Sequence, residues 1–322
     1  MRITRRTILK LSAYSLATLP LSSAFSQAYP SRFVRMVVPF PPGSITDIVT
    51  RLISNELQQS LGQAFVVENK PGAQTTIGAA FVARSPPDGY TLLVSAVSFV
   101  GAVSEIKNLP YSPNDDFTPL ALLGTFPLVL MVKPDFPAHT PAEFLNRLKT
   151  NDKKWNGGYG SSSTRLAIAQ LQNIEGISIQ AIPYKGIPLA LADLIGGTID
   201  FTFADIGNAL TFAKAGKLKA IGVTSAMPSP HAPDWPSLVN LVPGLDMSAW
   251  LAVIGPKGMP MDISTKLHND IMRVVALPSI RSSLDKLAMT PPQLTLAQMK
   301  PFIASEVEKW SRLYKAAGIE PQ

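Results

Sequence analysis

Cysteine is absent from this 322-residue chain, which excludes a disulfide framework and any thiolate metal site. The absence is compatible with an oxidising compartment without requiring one. Histidine is almost as scarce: His139, His231 and His268 stand alone, with no partner at metal-ligand spacing. Neither a Gly-x-Ser-x-Gly elbow nor a Gly-Lys-Ser phosphate loop occurs. Gly158-Tyr159-Gly160 imitates half of a dinucleotide fingerprint, but Ser163 stands where its third glycine belongs. No basic run interleaves with aromatics, as a groove tracking phosphates requires, so nucleic acid is not an expected partner. Cofactors and metals are not expected either. Beyond the N-terminal segment no apolar run reaches ~20 residues without proline or charge, so the mature chain is expected to be soluble.

What is present begins with an export signal. Arg5 and Arg6, followed by Ile8, Leu9 and Lys10, have a twin-arginine pattern; Leu11 to Phe25 supplies a modest apolar region. Ser26-Gln27-Ala28 is a small-x-small cleavage site, which defines residues 1–28 as a signal peptide and predicts a periplasmic protein. Arg2, Arg5, Arg6 and Lys10 carry four of the seven net positive charges, and the three that remain suit acidic solutes. The rest of the chain exceeds the size at which single cores usually stop growing, so two lobes are the default.

The chain is organised around Met36 to Arg51, MVVPFPPGSITDIVTR. Val37 and Val38 end a buried strand, and Pro39, Pro41, Pro42 and Gly43 stop the ladder and turn the chain. Ser44 is a good N-cap, with Asp47 at the capping-box position, so Ile48, Leu52 and Ile53 begin an amphipathic helix after Thr46. A helix start presents unpaired N–H groups and about half a positive charge, a natural carboxylate or phosphate site. A second glycine-rich turn with hydroxyls, Asn156 to Gln170, repeats the arrangement. Two such starts suggest one anion gripped from two sides.

Strand-like runs alternate with helical patterns: Phe33 to Val38, Thr46 to Gln59, Phe65 to Glu68, Thr76 to Arg84, Tyr90 to Ser95. That rhythm predicts a parallel sheet with helices on its faces, whose ligands lie at the carboxyl ends of strands, where the turns at 42–44, 72–75 and 95–98 converge. Phe126 to Lys133 is the expected first crossing strand, and Trp250 to Ile254 the strand crossing back. The helices Met261 to Ala276, Pro278 to Lys286 and Leu296 to Ala317 should pack on the first lobe. The expected fold is α/β and two-lobed, with lobe 1 formed by 29–128 plus 250–322, lobe 2 by 129–249, and two crossing strands making a hinge.

At these residues the chain closely resembles the substrate-binding proteins of tripartite tricarboxylate transporters, the Bug/TctC family of periplasmic receptors. The likeness is carried by YPSRFVRMVVPFPPGSITD, VVENKPGA, IGAAFVARSPPDGYTLL, DFTPLALLG, YGSSS, IPYKG, LADLIGGTIDF, AGKLKAIGVTS and KWSRLYKAAGIEP, in order and at matching spacing. It implies a periplasmic binding protein-like fold that closes around a small organic carboxylate and passes it to the large and small integral membrane subunits of a transporter. It also implies that the turn at Pro42, Gly43, Ser44 and Asp47 faces the turn at Ser161 to Thr164, both holding the ligand carboxylate. Two departures stand out: Ser44 replaces the family's usual second glycine, and a shorter second turn brings Arg165 to about where a histidine is common.

The candidate ligand-binding residues are therefore Pro42, Gly43, Ser44, Thr46, Asp47, Ser161, Ser162, Ser163, Thr164, Arg165, Tyr184 and Asp205. Gly43 serves either as a turn glycine or as a point of close approach to the ligand. Asp47 either only caps its helix or receives an ammonium or hydroxyl of the solute, and its charge argues against contact with an acid group. Four successive hydroxyls exceed the need of one cap. Arg165 lies either on a solvated face or inward, as a bidentate partner for a carboxylate. Tyr184 is a rim residue placed ahead of Lys185, and Asp205 is more at home as a cap. The expected protein is a monomeric, non-catalytic receptor. Two rivals remain: an exported hydrolase using a serine of 161–163, which lacks a convincing base, and a receptor that signals to a sensor kinase.

Overall fold

The structure is a computed structural model that describes residues 29–321 apart from 151–152, 175–176, 243 and 292. The expected signal peptide, 1–28, lies outside the described residues. The chain divides into compact units at 1–31 and 32–322, and every named strand and helix belongs to the second.

The elements run β1 (Val34–Val38), α1 (Ile45–Leu61), β2 (Phe65–Asn69), a short 3-10 turn (Ala73–Thr75), α2 (Thr76–Ala83), β3 (Thr91–Ala96), α3 (Ser98–Glu105) and β4 (Phe117–Val132). They continue α4 (Pro141–Lys149), β5 (Trp155–Tyr159), α5 (Ser162–Gln172), β6 (Ile179–Pro183), α6 (Ile187–Gly196), β7 (Phe201–Asp205), α7 (Ile206–Lys214), β8 (Lys219–Val223) and β9 (Ser248–Pro256). Three helices close the chain: α8 (Met261–Ala276), α9 (Pro278–Lys286) and α10 (Leu296–Ala316).

The strands form a path β2-β1-β3-β9-β4-β7-β5-β6, with β8 also on β4. β1 pairs in parallel with β2 and β3, and β5 in parallel with β6 and β7. These are the two parallel half-sheets that alternating strands and helices dictate. Two antiparallel strands join them. β4 pairs through Pro127 with β9, then from Leu128 with β7 and from Val129 with β8, so one 16-residue strand belongs to both halves.

β4 begins at Phe117, well before the expected Phe126. Pro119 conceals the extension, since proline normally argues against a central strand. The ladder accommodates it with a register shift between Pro119 and Ala121, and a second shift falls between Leu122 and Gly124. Helix α3 is likewise not apparent from its residues, because it starts after Val97 without a side-chain cap and is buried through Ser98 to Ala102. Tyr111, Phe99 and Phe117 stack edge and face beneath it.

Four strand-to-helix junctions, β1–α1, β3–α3, β5–α5 and β7–α7, lie at carboxyl ends of strands, two in each half. Glycine lets the halves come close. A Cβ on Gly101 of α3 would lie 2.6 Å from Ser162 Cβ of α5, and one on Gly186 would lie 2.5 Å from Pro41 Cγ.

Candidate functional site

The α1 start is braced within its own half. Ser44 Oγ accepts from Asp47 N–H at 3.3 Å, while Asp47 Oδ2 accepts from Gly43 N–H at 3.1 Å, one residue before the N-cap. Asp47 also receives Arg51 Nε at 3.1 Å and Asn69 Nδ2 at 2.9 Å. Burial raises its pKa, but the bonds from Arg51, Asn69 and Gly43 outweigh it and hold the carboxyl below its usual value. The side chain is therefore committed to its own turn.

The α5 start is braced across to the other half. Ser161 and Thr164 form a reciprocal capping box, and Ser163 Oγ lies 3.1 Å from Ser161 Oγ. Ser162 N–H donates to Ser98 Oγ at 3.0 Å, and the Ser162 carbonyl lies 2.6 Å from the Tyr314 hydroxyl. Tyr314 also bonds the buried Glu105, whose Oε2 accepts from Arg165 NH1 at 3.1 Å. Burial, then the Glu105 charge, pushes the Tyr314 hydroxyl well above its ordinary pKa, so it stays a donor. Arg165, with its side chain 15% exposed, thus pairs with a carboxylate of its own chain instead of standing on a solvated face.

Between the two starts lies an inner chamber of about 40 Å³, lined by all four junctions. Its polar wall comprises Ser44, Thr46, Ser98, Ser161, Ser163, Thr164 and Asp205; Phe40, Val97, Phe126, Leu128 and Ile187 supply the apolar wall. An outer chamber of about 280 Å³ shares Ser98, Gly160 and Ser161 with it and is walled by Gly72 to Thr75 and Pro183 to Lys185. Helix geometry gives first-turn N–H groups no carbonyl partner. Capping takes that of Asp47 in α1, and capping with Ser98 takes those of Thr164 and Ser162 in α5. The N–H groups of Ile45, Thr46 and Ser163 remain, and all three residues line the inner chamber. This arrangement can hold a carboxylate without recruiting a cation.

Of the candidates, Ser44, Thr46, Ser161, Ser163, Thr164 and Asp205 line the inner chamber, and Tyr184 the outer. Pro42, Gly43, Asp47, Ser162 and Arg165 line neither. Gly43 is a turn glycine: its φ is +80° and a Cβ there would meet nothing within 4 Å. Asp205 caps α7 through Asn208 N–H at 2.9 Å, and burial raises its pKa despite the Asn208 bonds. Tyr184 donates to Asp193 at 2.7 Å, and partial burial with that carboxylate pushes it up to about 12. The residues not anticipated individually are Ser98, the apolar wall, and Gln74 and Thr75. Their turns at 95–98 and 72–75 were legible as strand ends. None of the three histidines lines either chamber, and among the described residues no group of three or more His, Asp or Glu is placed to hold a metal.

Two half-sheets, two joining strands and a cleft walled by helix starts define a two-lobed binding protein of the periplasmic type. The chain matches the tripartite tricarboxylate transporter family receptor, TctC, over residues 49–319. It is 32% identical over 326 residues to protein BugT of Bordetella pertussis, covering 99% of each chain. Its fold is similar to the periplasmic binding protein BugD at a TM-score of 0.87 and 32% identity, covering 91% of this chain and all of that one. It is also similar to MatC of Rhodopseudomonas palustris, solved with bound malate, at 0.83 and 30%, covering 88% and 99%. The chain belongs to the TctC family of receptors. No described helix is long and apolar enough to cross a membrane.

Proposed function

We propose that this protein is a periplasmic receptor that captures a small carboxylate-bearing organic solute between two lobes. It delivers the solute to the large and small membrane subunits of a tripartite tricarboxylate-type transporter. Lobe 1 comprises 29–128 with 250–322 and lobe 2 comprises 129–249, and β4 and β9 form the hinge. The observation that carries the reading is the set of three uncommitted N–H groups, on Ile45, Thr46 and Ser163, which meet at one chamber from two helix starts. The fold supplies these donors in place, so binding orders little. The family and the malate in MatC point the same way. The hydrolase reading finds no support in a serine run tied up by its own capping box, with no imidazole at the chamber.

A thermal-shift screen of small organic acids tests the reading. Binding to the folded form alone raises the melting temperature by mass action, so at least one acid should raise it by several degrees, with a dissociation constant confirmed by calorimetry. A screen in which no carboxylate shifts the transition, while neutral sugars do, would overturn it.

A further inference from the structure

We propose that solute capture takes up a proton: Asp205, which shares the inner chamber with the bound carboxylate, becomes protonated as the acid enters. The proposal rests on the receptor reading and adds regulation of its site by pH.

The inner chamber has room for one charged head group. At about 40 Å³ it is little larger than the ~30 Å³ that a water molecule occupies in the liquid, so a carboxylate inside it lies against the walls with no water layer between. Asp205 is part of that wall: it ends β7, is 5% exposed, and is the one charged residue among those lining the chamber. Its Oδ1 accepts from the Asn208 N–H at 2.9 Å and its Oδ2 from Asn208 Nδ2 at 2.8 Å, both uncharged donors. Among the described residues no cation pairs with it. What faces it from α1, α5, β4, α6 and β9 is hydroxyl-bearing or apolar, including Thr46, Ser163, Phe126, Ile187 and Ala249, and none of it is a carboxylate, an amine or an imidazole. Leu128 of β4 pairs with it in the sheet, and the β3–α3 junction adds only Ala96, Val97 and Ser98.

Two carboxylates brought together with neither water nor a cation between them do not both stay ionised. Like charge at this range raises one pKa strongly, and the proton is shared by the pair. The surroundings decide where it resides. The solute head faces the uncommitted N–H groups of Ile45, Thr46 and Ser163, from two helix starts, whereas Asp205 caps α7 alone. Burial already holds the Asp205 carboxyl above its ordinary value. The solute therefore keeps its charge, and Asp205 takes one proton from the medium for each acid bound. Once protonated, its O–H can donate to the incoming carboxylate, which turns a repulsion into a charge-assisted hydrogen bond. The complex then holds more protons than the free receptor, so affinity rises as pH falls, by up to about tenfold per pH unit where uptake is complete.

Calorimetry on the full mature chain tests this, with acetate, malate, adipate, benzoate and aspartate titrated in PIPES, Bis-Tris and imidazole, buffers of different ionisation enthalpy. Above pH ~6 the acids themselves are largely ionised. For the tightest acid, the observed enthalpy should follow the buffer's ionisation enthalpy with an uptake of at least about half a proton, and the dissociation constant should rise at least about threefold between pH ~6 and ~7. In Asp205→Asn, whose side chain keeps the cap, both dependences should vanish and binding near pH ~7 should be tighter than in the wild type. The wild-type series decides by itself should the variant not fold. A buffer-independent enthalpy with constant affinity, or an uptake that persists in the variant, would overturn the proposal while leaving the receptor reading intact. Binding of aspartate alone, lost in the variant, would also overturn it and would make Asp205 the partner of an ammonium. Failure of every acid to bind would overturn the receptor reading and the proposal with it.

Discussion

The two helix starts at the cleft look alike in sequence and are held in different ways. The α1 start is fixed by its own neighbours, Arg51 and Asn69 on Asp47. The α5 start is fixed by the opposite half, through Ser98, Tyr314 and the Glu105–Arg165 pair. One anion site is therefore braced within its own half, while the other is braced by contacts from the opposite half. Sequence similarity between two turns does not make them mechanically equivalent: what braces a turn lies elsewhere in the chain.

The largest expected effect comes from unpairing the cross-half brace. Glu105 and Arg165 side chains are 1% and 15% exposed, so Arg165→Ala leaves a buried carboxylate uncompensated and should cost about 3 kcal/mol in denaturant unfolding. Adding Glu105→Gln should recover most of that. If the double variant is no better than the single, the Glu105 charge is not what Arg165 compensates. Next is Gly101→Ala, whose Cβ would press on Ser162: overpacking of about 2 kcal/mol should weaken solute binding by about tenfold or more in calorimetry. An unchanged affinity would mean that α3 and α5 need not touch in the bound form.

Asp47→Asn tests the self-contained brace. The folded pKa of Asp47 is lowered, so its contribution is complete above the usual carboxylate range, near pH ~4, and is lost as pH falls through the folded value. The variant should lose about 1 kcal/mol at neutral pH, with the difference closing in acid. The smallest effect has the opposite sign. Asp205 has a raised folded pKa, so its ionisation opposes folding at neutral pH and this penalty fades as pH falls. Asp205→Asn, which keeps a good cap, should be more stable by under ~1 kcal/mol at pH 7 and should bind anions slightly better. A variant less stable at pH 7 than at pH 4, relative to wild type, would show that the buried carboxylate is needed as an anion.

Most elements are legible because their signals are local. Ser44 caps α1, Pro141 and Pro278 open α4 and α9, and the periodicity of Met261 to Ala276 marks both ends of α8. The α5 start is legible through its run of hydroxyls, of which Ser161 is the cap. Local patterns do not show the long first part of β4, masked by Pro119, or helix α3, which has no capping side chain. Tyr314 meets Glu105 across 209 residues of sequence, so the brace on Arg165 has no local trace. Gly43, legible as a turn glycine, has a φ of +80° and open space where a Cβ would stand, whereas Gly101 and Gly186, which no local signal marks, are where the chain approaches itself closely.

The decisive measurement is a crystal structure grown with the tightest acid from the thermal-shift screen. A carboxylate should lie within hydrogen-bonding distance of the Ile45, Thr46 and Ser163 N–H groups, with both halves contributing. An acid seated on one half alone, or with its head away from both helix starts, would rule out a shared anion held by the two turns.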